Sequence, residues 1–265
     1  MRLKISHTTR YSFDAPVRFG LQQLRMTPLS GPTQTVLDWD IALDGARVQL
    51  DYLDHHGNRV QLVSIEPGAT GLSLTCSGEV EVEDTHGVVG PHRDATPLWL
   101  FSCPTPRTTA GVGSKAIAAK VAGATPLDRL HALSGLIHDA VSYEVGASHP
   151  DWSAEDAVKA GAGVCQDHAH VFIACARLLG FPARYVSGYL LMEDRTEQDA
   201  THAWAEAYVD DLGWVGFDVS NGISPDGRYV RVATGLDYSE AAPVIGTRVG
   251  GEGESLDVAI EVAQQ

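Results

Sequence analysis

Gly161-Ala-Gly-Val-Cys165-Gln-Asp-His-Ala-His170 is the stretch that decides how this chain is read. It sets a cysteine just after a glycine turn, at the start of an apolar helical run ending Ala176-Arg-Leu-Leu-Gly180-Phe-Pro182. At a helix start the unpaired backbone N–H groups and the positive end of the dipole favour thiolate over thiol. Thiolate is the nucleophilic form, so the position suits covalent acyl chemistry. Downstream, Thr201-His-Ala-Trp-Ala-Glu-Ala-Tyr-Val209 offers a histidine on a strand, and Gly213-Trp-Val-Gly-Phe-Asp218 ends the next strand with a carboxylate. Cys165, His202 and Asp218 thus follow one another as nucleophile, base and orienter.

The spacing carries its own check. The Asp210-Asp211-Leu-Gly213 turn should fold the His202 strand against the Trp214 strand. His202 and Asp218 share a face only if opposed residue numbers sum to an even value, such as Tyr208 facing Trp214, because a one-residue slip reverses every side chain.

Blander readings compete. A lone helical cysteine is usually structural, and mid-helix Cys175 is read that way. Asp218 could serve only to cap a turn with Asn221-Gly222. Zinc at Cys165, His168 and His170 is disfavoured: i and i+3 share a helix face but i+5 does not, and no second cluster completes four ligands. His168 and His170 are expected to make supporting or packing contacts.

The 265 residues suffice for two modest domains. Nineteen basic against 34 acidic residues give −15, which argues against a nucleic-acid partner. The first residues alternate and carry no apolar signal segment, and no run approaches a membrane span. Cys76, Cys103, Cys165 and Cys175 lack framework spacing, which points to a reducing cytoplasm.

Residues 1–85 alternate at period two, broken by His56-Gly57-Asn58, Pro67-Gly68 and Ser77-Gly78, as in an antiparallel β-sandwich-like domain. Residues 86–113, with four prolines, are read as a linker. The remaining 114–265 form the catalytic unit. Leu127, Leu130, Leu133, Ile137 and Val141 mark one helix face, and Ser153-Ala-Glu-Asp156 reads as a capping box opening a short helix. The Cys165 helix follows, then strands over 183–192, 202–209, 214–219 and 229–233, with a late alternating segment at 256–262. The class is α+β, with helices packed on an antiparallel sheet.

Gly163-Val-Cys165-Gln-Asp-His-Ala-His170, Leu179-Gly-Phe-Pro-Ala-Arg-Tyr-Val-Ser-Gly-Tyr189, His202-Ala-Trp-Ala-Glu206 and Gly213-Trp-Val-Gly-Phe-Asp218-Val-Ser-Asn221 resemble the transglutaminase-like superfamily in its prokaryotic branch. His7-Thr-Thr-Arg-Tyr11, Leu24-Arg-Met-Thr-Pro28 and Asp54-His-His-Gly-Asn58 look like the β-rich domain that precedes this core in bacterial members. The resemblance implies a papain-like core with Cys165 as nucleophile, His202 as general base and acid, and Asp218 as orienter. The family commonly has Asp-Pro-Thr-Asn where this chain has Asp218-Val-Ser-Asn221.

Such a triad performs acyl transfer through a thioester. The Cys165 backbone N–H suits one oxyanion donor, and Gln166, Trp152 and Trp204 are candidates for a second. The polar loop Glu193-Asp-Arg-Thr-Glu-Gln-Asp199 is read as a solvated connection, the alternative being a rim beside the acyl-donor groove. The leading function is cysteine hydrolysis of peptide or isopeptide bonds in a peptide or protein substrate. An amine-transferring transglutaminase and a non-catalytic peptide-binding module are the alternatives. No organic cofactor is expected, and no Asp-rich loop resembles a calcium site. Whether the N-terminal module binds substrate, covers the groove or mediates oligomerisation stays open.

Overall fold

Period-two patterning in the first 85 residues becomes β1 (Arg2–Phe13), β2 (Val17–Thr27), β3 (Gln34–Asp44), β4 (Ala46–Leu53), β5 (Arg59–Ile65) and β6 (Gly71–Val82) in a computed structural model describing residues 1–265. Next come β7 (Val88–Gly90), a 3-10 turn (Leu98–Ser102), α1 (Val112–Ala118), α2 (Pro126–Ala140), β8 (Ser142–Tyr143), α3 (Ala154–Ala160), β9 (Ala162–Gly163) and α4 (Cys165–Leu178). The chain then forms β10 (Ala183–Leu190), β11 (Glu197–Gln198), β12 (His202–Val209), β13 (Gly213–Phe217), β14 (Tyr229–Gly235), α5 (Tyr238–Ala241), β15 (Val244–Gly250) and β16 (Glu254–Gln264). No helix is long and apolar enough to cross a membrane.

Two antiparallel sheets, β11-β16-β1-β6-β3 and β15-β2-β5-β4, make the sandwich, closed over Phe13, Leu24, Met26, Val63, Ile65 and Leu74. A third sheet, β14-β10-β12-β13-β7, carries the helices on one face. There Leu130, Leu133 and Ile137 of α2 and Phe172 and Ile173 of α4 pack with Ala203, Ala205 and Ala207 of β12. The alanines let α4 lie close to the strand. Full burial of each large apolar side chain here stabilises by roughly 1.5–3 kcal/mol. Farther along, the same face, through Tyr189 and Val230, meets Leu3, Ile5, Val80 and Val262 of the sandwich, while Val186, Leu190, Trp204 and Tyr229 cluster on the opposite face.

Two features depart from the expected division. Residues 244–264 do not extend the helical unit: β15 pairs with β2, and β16 pairs with β1 over its whole length. An alternating strand carries no address, and only the available sheet edges decide where it inserts. The stretch 86–113 is also more than a connection. Its β7 pairs with β13, Phe101 is fully buried against Trp214, and α1 begins at Val112. Elements this short leave no periodic trace.

Every segment that carried the N-terminal resemblance lies at the joint between sandwich and third sheet. His7 Nδ1 meets the Tyr189 hydroxyl at 2.9 Å. Arg25 Nε donates to Asp54 Oδ2 at 3.3 Å, and Asp54 Oδ1 accepts the His56 and Asn58 amides. Gly57, at φ +78°, takes the left-handed conformation this turn requires.

The free edge of β14 is closed by two side-chain amides that imitate a neighbouring strand. Asn58 accepts from Thr234 N–H (2.8 Å) and donates to Thr234 C=O (2.7 Å). Gln34 does the same at Arg231, at 2.9 and 2.8 Å. Residues 231 and 234 would face opposite ways in a regular strand, but the bulge at Val232 turns both outward. Asn58→Ala should therefore strand a buried N–H and C=O and lower stability by about 2–4 kcal/mol, read from the urea midpoint. An unchanged midpoint would show that Asn58 does not hold the edge.

Candidate active site

The Cys165 position is built by its neighbours. Ser153 and Asp156 form the expected reciprocal capping box on α3, and Gly161 ends that helix at φ +68°. A side chain at Gly163 would come within 2.7 Å of Asp167 Cβ, so only glycine lets the chain pass over the next turn. Asp167 Oδ2 then accepts the Val164 N–H at 2.8 Å, and Cys165 becomes the first residue of α4. Its amide belongs to the first turn, which has no intrahelical acceptor.

β12 and β13 pair as Tyr208↔Trp214 and Ala205↔Phe217, the even register required for His202 and Asp218 to meet. His202 Nε2 lies 2.6 Å from Asp218 Oδ2, which leaves Nδ1 as the nitrogen available to Cys165. Asp218 is fully buried. Burial opposes its charge, but hydrogen bonds from His202, Asn221 and Tyr229 hold its carboxyl below the usual range. The Tyr229 hydroxyl donates at 2.7 Å and Asn221 Nδ2 at 2.7 Å. Asp218 also accepts the Asn221 amide, so it caps the following turn as well. That turn forms with Val219 where the family commonly has proline.

Burial also disfavours charge on His202, yet the hydrogen bond to Asp218 and the adjacent Cys165 sulfur outweigh it and push the ring up to about 10. Trp204 backs the ring, centroids 6.3 Å apart and 27° from parallel.

Cys165 and His202 open into a cleft of about 350 Å³, bordered by Tyr143, Gln166, Tyr185, Tyr238 and the segment 197–201. Gln166 donates to the Pro150 carbonyl at 3.2 Å, at this rim. Trp152 packs on the helical core and Trp204 lies behind His202, so neither indole lines the cleft. Glu206, which ends the His202 motif, answers Arg184 and Arg231 at 2.7 and 2.9 Å.

The loop 193–199 is not merely a solvated connection. Arg195, Glu197, Gln198 and Asp199 line the cleft, and β11 is pinned to β16 while Gln198 donates to Leu190 C=O at 2.8 Å. Sequence reading also missed Tyr143 and Tyr229. Tyr143 is brought beside Cys165 by the parallel pairing of β8 with β9, a two-residue contact with no sequence signature.

His168 spends both nitrogens, on Ser220 Oγ (2.9 Å) and the Val141 carbonyl (2.8 Å), and His170 Nε2 accepts the Tyr238 amide. Neither is disposed to join Cys165 around a metal. His55, His56 and Glu240 do bring three ligand atoms within 4.8 Å of one another, at the domain joint rather than the cleft.

Comparison with known proteins agrees with this architecture. Residues 115–219 match the family model of the transglutaminase-like superfamily, and residues 3–81 match that of the bacterial transglutaminase-like N-terminal region. An uncharacterized protein of Mycobacterium leprae is 28% identical over 99% of both chains. One from Mycobacterium tuberculosis is 26% identical over 98% of this chain and 92% of its own. The crystal structure of a candidate cysteine protease from Cytophaga hutchinsonii superposes with a TM-score of 0.79 and 22% identity, over 99% of this chain and 90% of that one, and so shares the fold. The chain belongs to the transglutaminase-like superfamily, in the bacterial form that carries its own N-terminal β-rich region.

Proposed function

We propose that the protein is a cysteine hydrolase of peptide or isopeptide bonds, with Cys165 as nucleophile, His202 as general acid and base, and Asp218 as orienter. The observation that carries this reading is the His202–Asp218 hydrogen bond of 2.6 Å beside a cysteine at the start of α4, at the wall of one cleft. Thiolate adds to the carbonyl carbon, and the Cys165 N–H receives the developing oxyanion. The C–N bond then breaks as Nδ1–H of His202 protonates the leaving amine, giving a thioester. Water adds to the thioester, giving up a proton to His202, and the thiolate departs as the acid forms.

Alkylation tests the nucleophile. Burial pushes the Cys175 thiol up to about 12 and Cys76 up to about 11. Iodoacetamide at pH 7 should therefore label Cys165 well ahead of both, with His202→Ala slowing Cys165 at least tenfold. Equal rates in wild type and His202→Ala would remove the Cys–His pair and favour a binding module. Peptide turnover with and without a primary amine then separates hydrolysis from amide exchange.

A further inference from the structure

The cleft does not end at the helical unit. Beside it lies a second hollow of about 220 Å³ that shares Asp199, Ala200, Thr201 and Tyr238 with the Cys165 cleft as a common wall. Its far side belongs to the sandwich. Thr9 and Tyr11 of β1, Leu256 and Val258 of β16, and Val244 of β15 line it. The pairings Thr9↔Val258 and Tyr11↔Leu256 put these side chains on one sheet face, continuous with the face that Leu3 and Ile5 bury. Toward Tyr11 the face runs out from under the third sheet, and Leu256 is left 55% exposed. Apolar side chains lining a hollow beside the cleft offer a seat for an apolar group.

The lining of the hollow holds one carboxyl group, that of Asp199, and no lysine or arginine. His7 lies in its lining with Nδ1 and Nε2 engaged by Tyr189 and Thr9, and burial pushes its ring down to about 4. Tyr11 is pushed up to about 12, by burial first and then by Glu254 and Tyr238. Asp199, on the shared wall, is the remaining ionisable group besides Tyr238. The volume corresponds to roughly seven waters at ~30 Å³ each, enough for one large side chain and too little for a helix.

We propose that this hollow is a substrate subsite, taking a single large apolar side chain of the peptide whose carbonyl reaches Cys165. It rests on the acyl-transfer reading and adds a substrate class: peptides with a leucine- or phenylalanine-like residue at a fixed distance from the reacting carbonyl. The sandwich then supplies part of the specificity, and β16, which lines the hollow and pins the cleft rim through β11, links the two.

The test uses ten-residue Gly/Ser peptides bearing an iodoacetyl group at the N-terminus or on a C-terminal lysine side chain. A single Leu is walked along each series, and Cys165 alkylation is followed by intact mass. The expected result is one Leu placement that raises the second-order rate at least tenfold over the all-Gly/Ser parent, with Glu at that placement giving no gain. Leu256→Lys, at a half-exposed position that tolerates charge, should erase the gain, and Tyr11→Ala should reduce it severalfold. Rates indifferent to Leu placement, or a gain that survives Leu256→Lys, would overturn the subsite. Failure of the acyl-transfer reading shows separately, as iodoacetamide reactivity unaffected by His202→Ala. Leu-dependent capture would still report the hollow in that case, since binding accelerates an ordinary thiol too.

Discussion

Cys165→Ala should lower turnover of any peptide substrate by at least ~10⁴-fold, because covalent catalysis loses its only nucleophile while binding and the oxyanion donor persist. Stability should move by less than about 1 kcal/mol. The side chain is only partly buried and borders the cleft, so removing one sulfur leaves no closed cavity. Both halves of the result are needed, measured as kcat/KM and as the denaturation midpoint. Retention of more than about 1% of turnover would put the chemistry elsewhere, whereas gross unfolding would make Cys165 structural.

Asp218→Asn should lower kcat by about 10²–10⁴-fold with a smaller change in KM, because the amide cannot hold the imidazole in the same tautomer or support its charge. It should also move the alkaline limb of the pH–rate profile. In the wild type burial works against charge on His202, and Asp218 and Cys165 together push the ring up to about 10. Without the carboxylate charge the burial contribution gains weight, so the limb shifts toward lower pH. A purely structural aspartate would lower activity without moving that limb, which is how the readings are told apart. The same shift has a stability consequence. The contribution of His202 is fully present below its ordinary value of 6.5 and is lost as pH rises through about 10. That of Asp218 is present above its ordinary 3.8 and is lost as pH falls through its depressed value. Denaturation midpoints from pH 5 to 10 should therefore fall on the alkaline side in wild type, and less steeply in Asp218→Asn.

Much of the framework of the candidate site was legible because it depends on local features. The glycines before Cys165 read as a turn, the apolar run after it as a buried helix, and the alternation of 202–209 as a strand, since each follows from backbone sterics and periodicity over a few residues. Even the register of β12 with β13 could be posed as a parity condition before the strands were seen paired. Trp152 and Trp204, the two indoles read as oxyanion candidates, lie outside the cleft lining for the opposite reason. Which side chain reaches a cleft depends on what packs around it: Trp204 shares the face of His202 but is covered by Val186, Leu190 and Tyr229. Tyr229 reaches Asp218 only because β14 and β13 lie in one sheet, separated by β10 and β12.

The sequence by itself determined the helix that Cys165 opens, the two strands that carry His202 and lead to Asp218, and the strand-rich character of the first third, all set by short-range periodicity and turn chemistry. The tertiary structure decided where the last twenty residues go, what closes the free edge of β14 and which walls the cleft has. Those outcomes depend on long-range pairing: β16 alternates like any strand, and it joins β1 only because that edge of the sandwich is open to it.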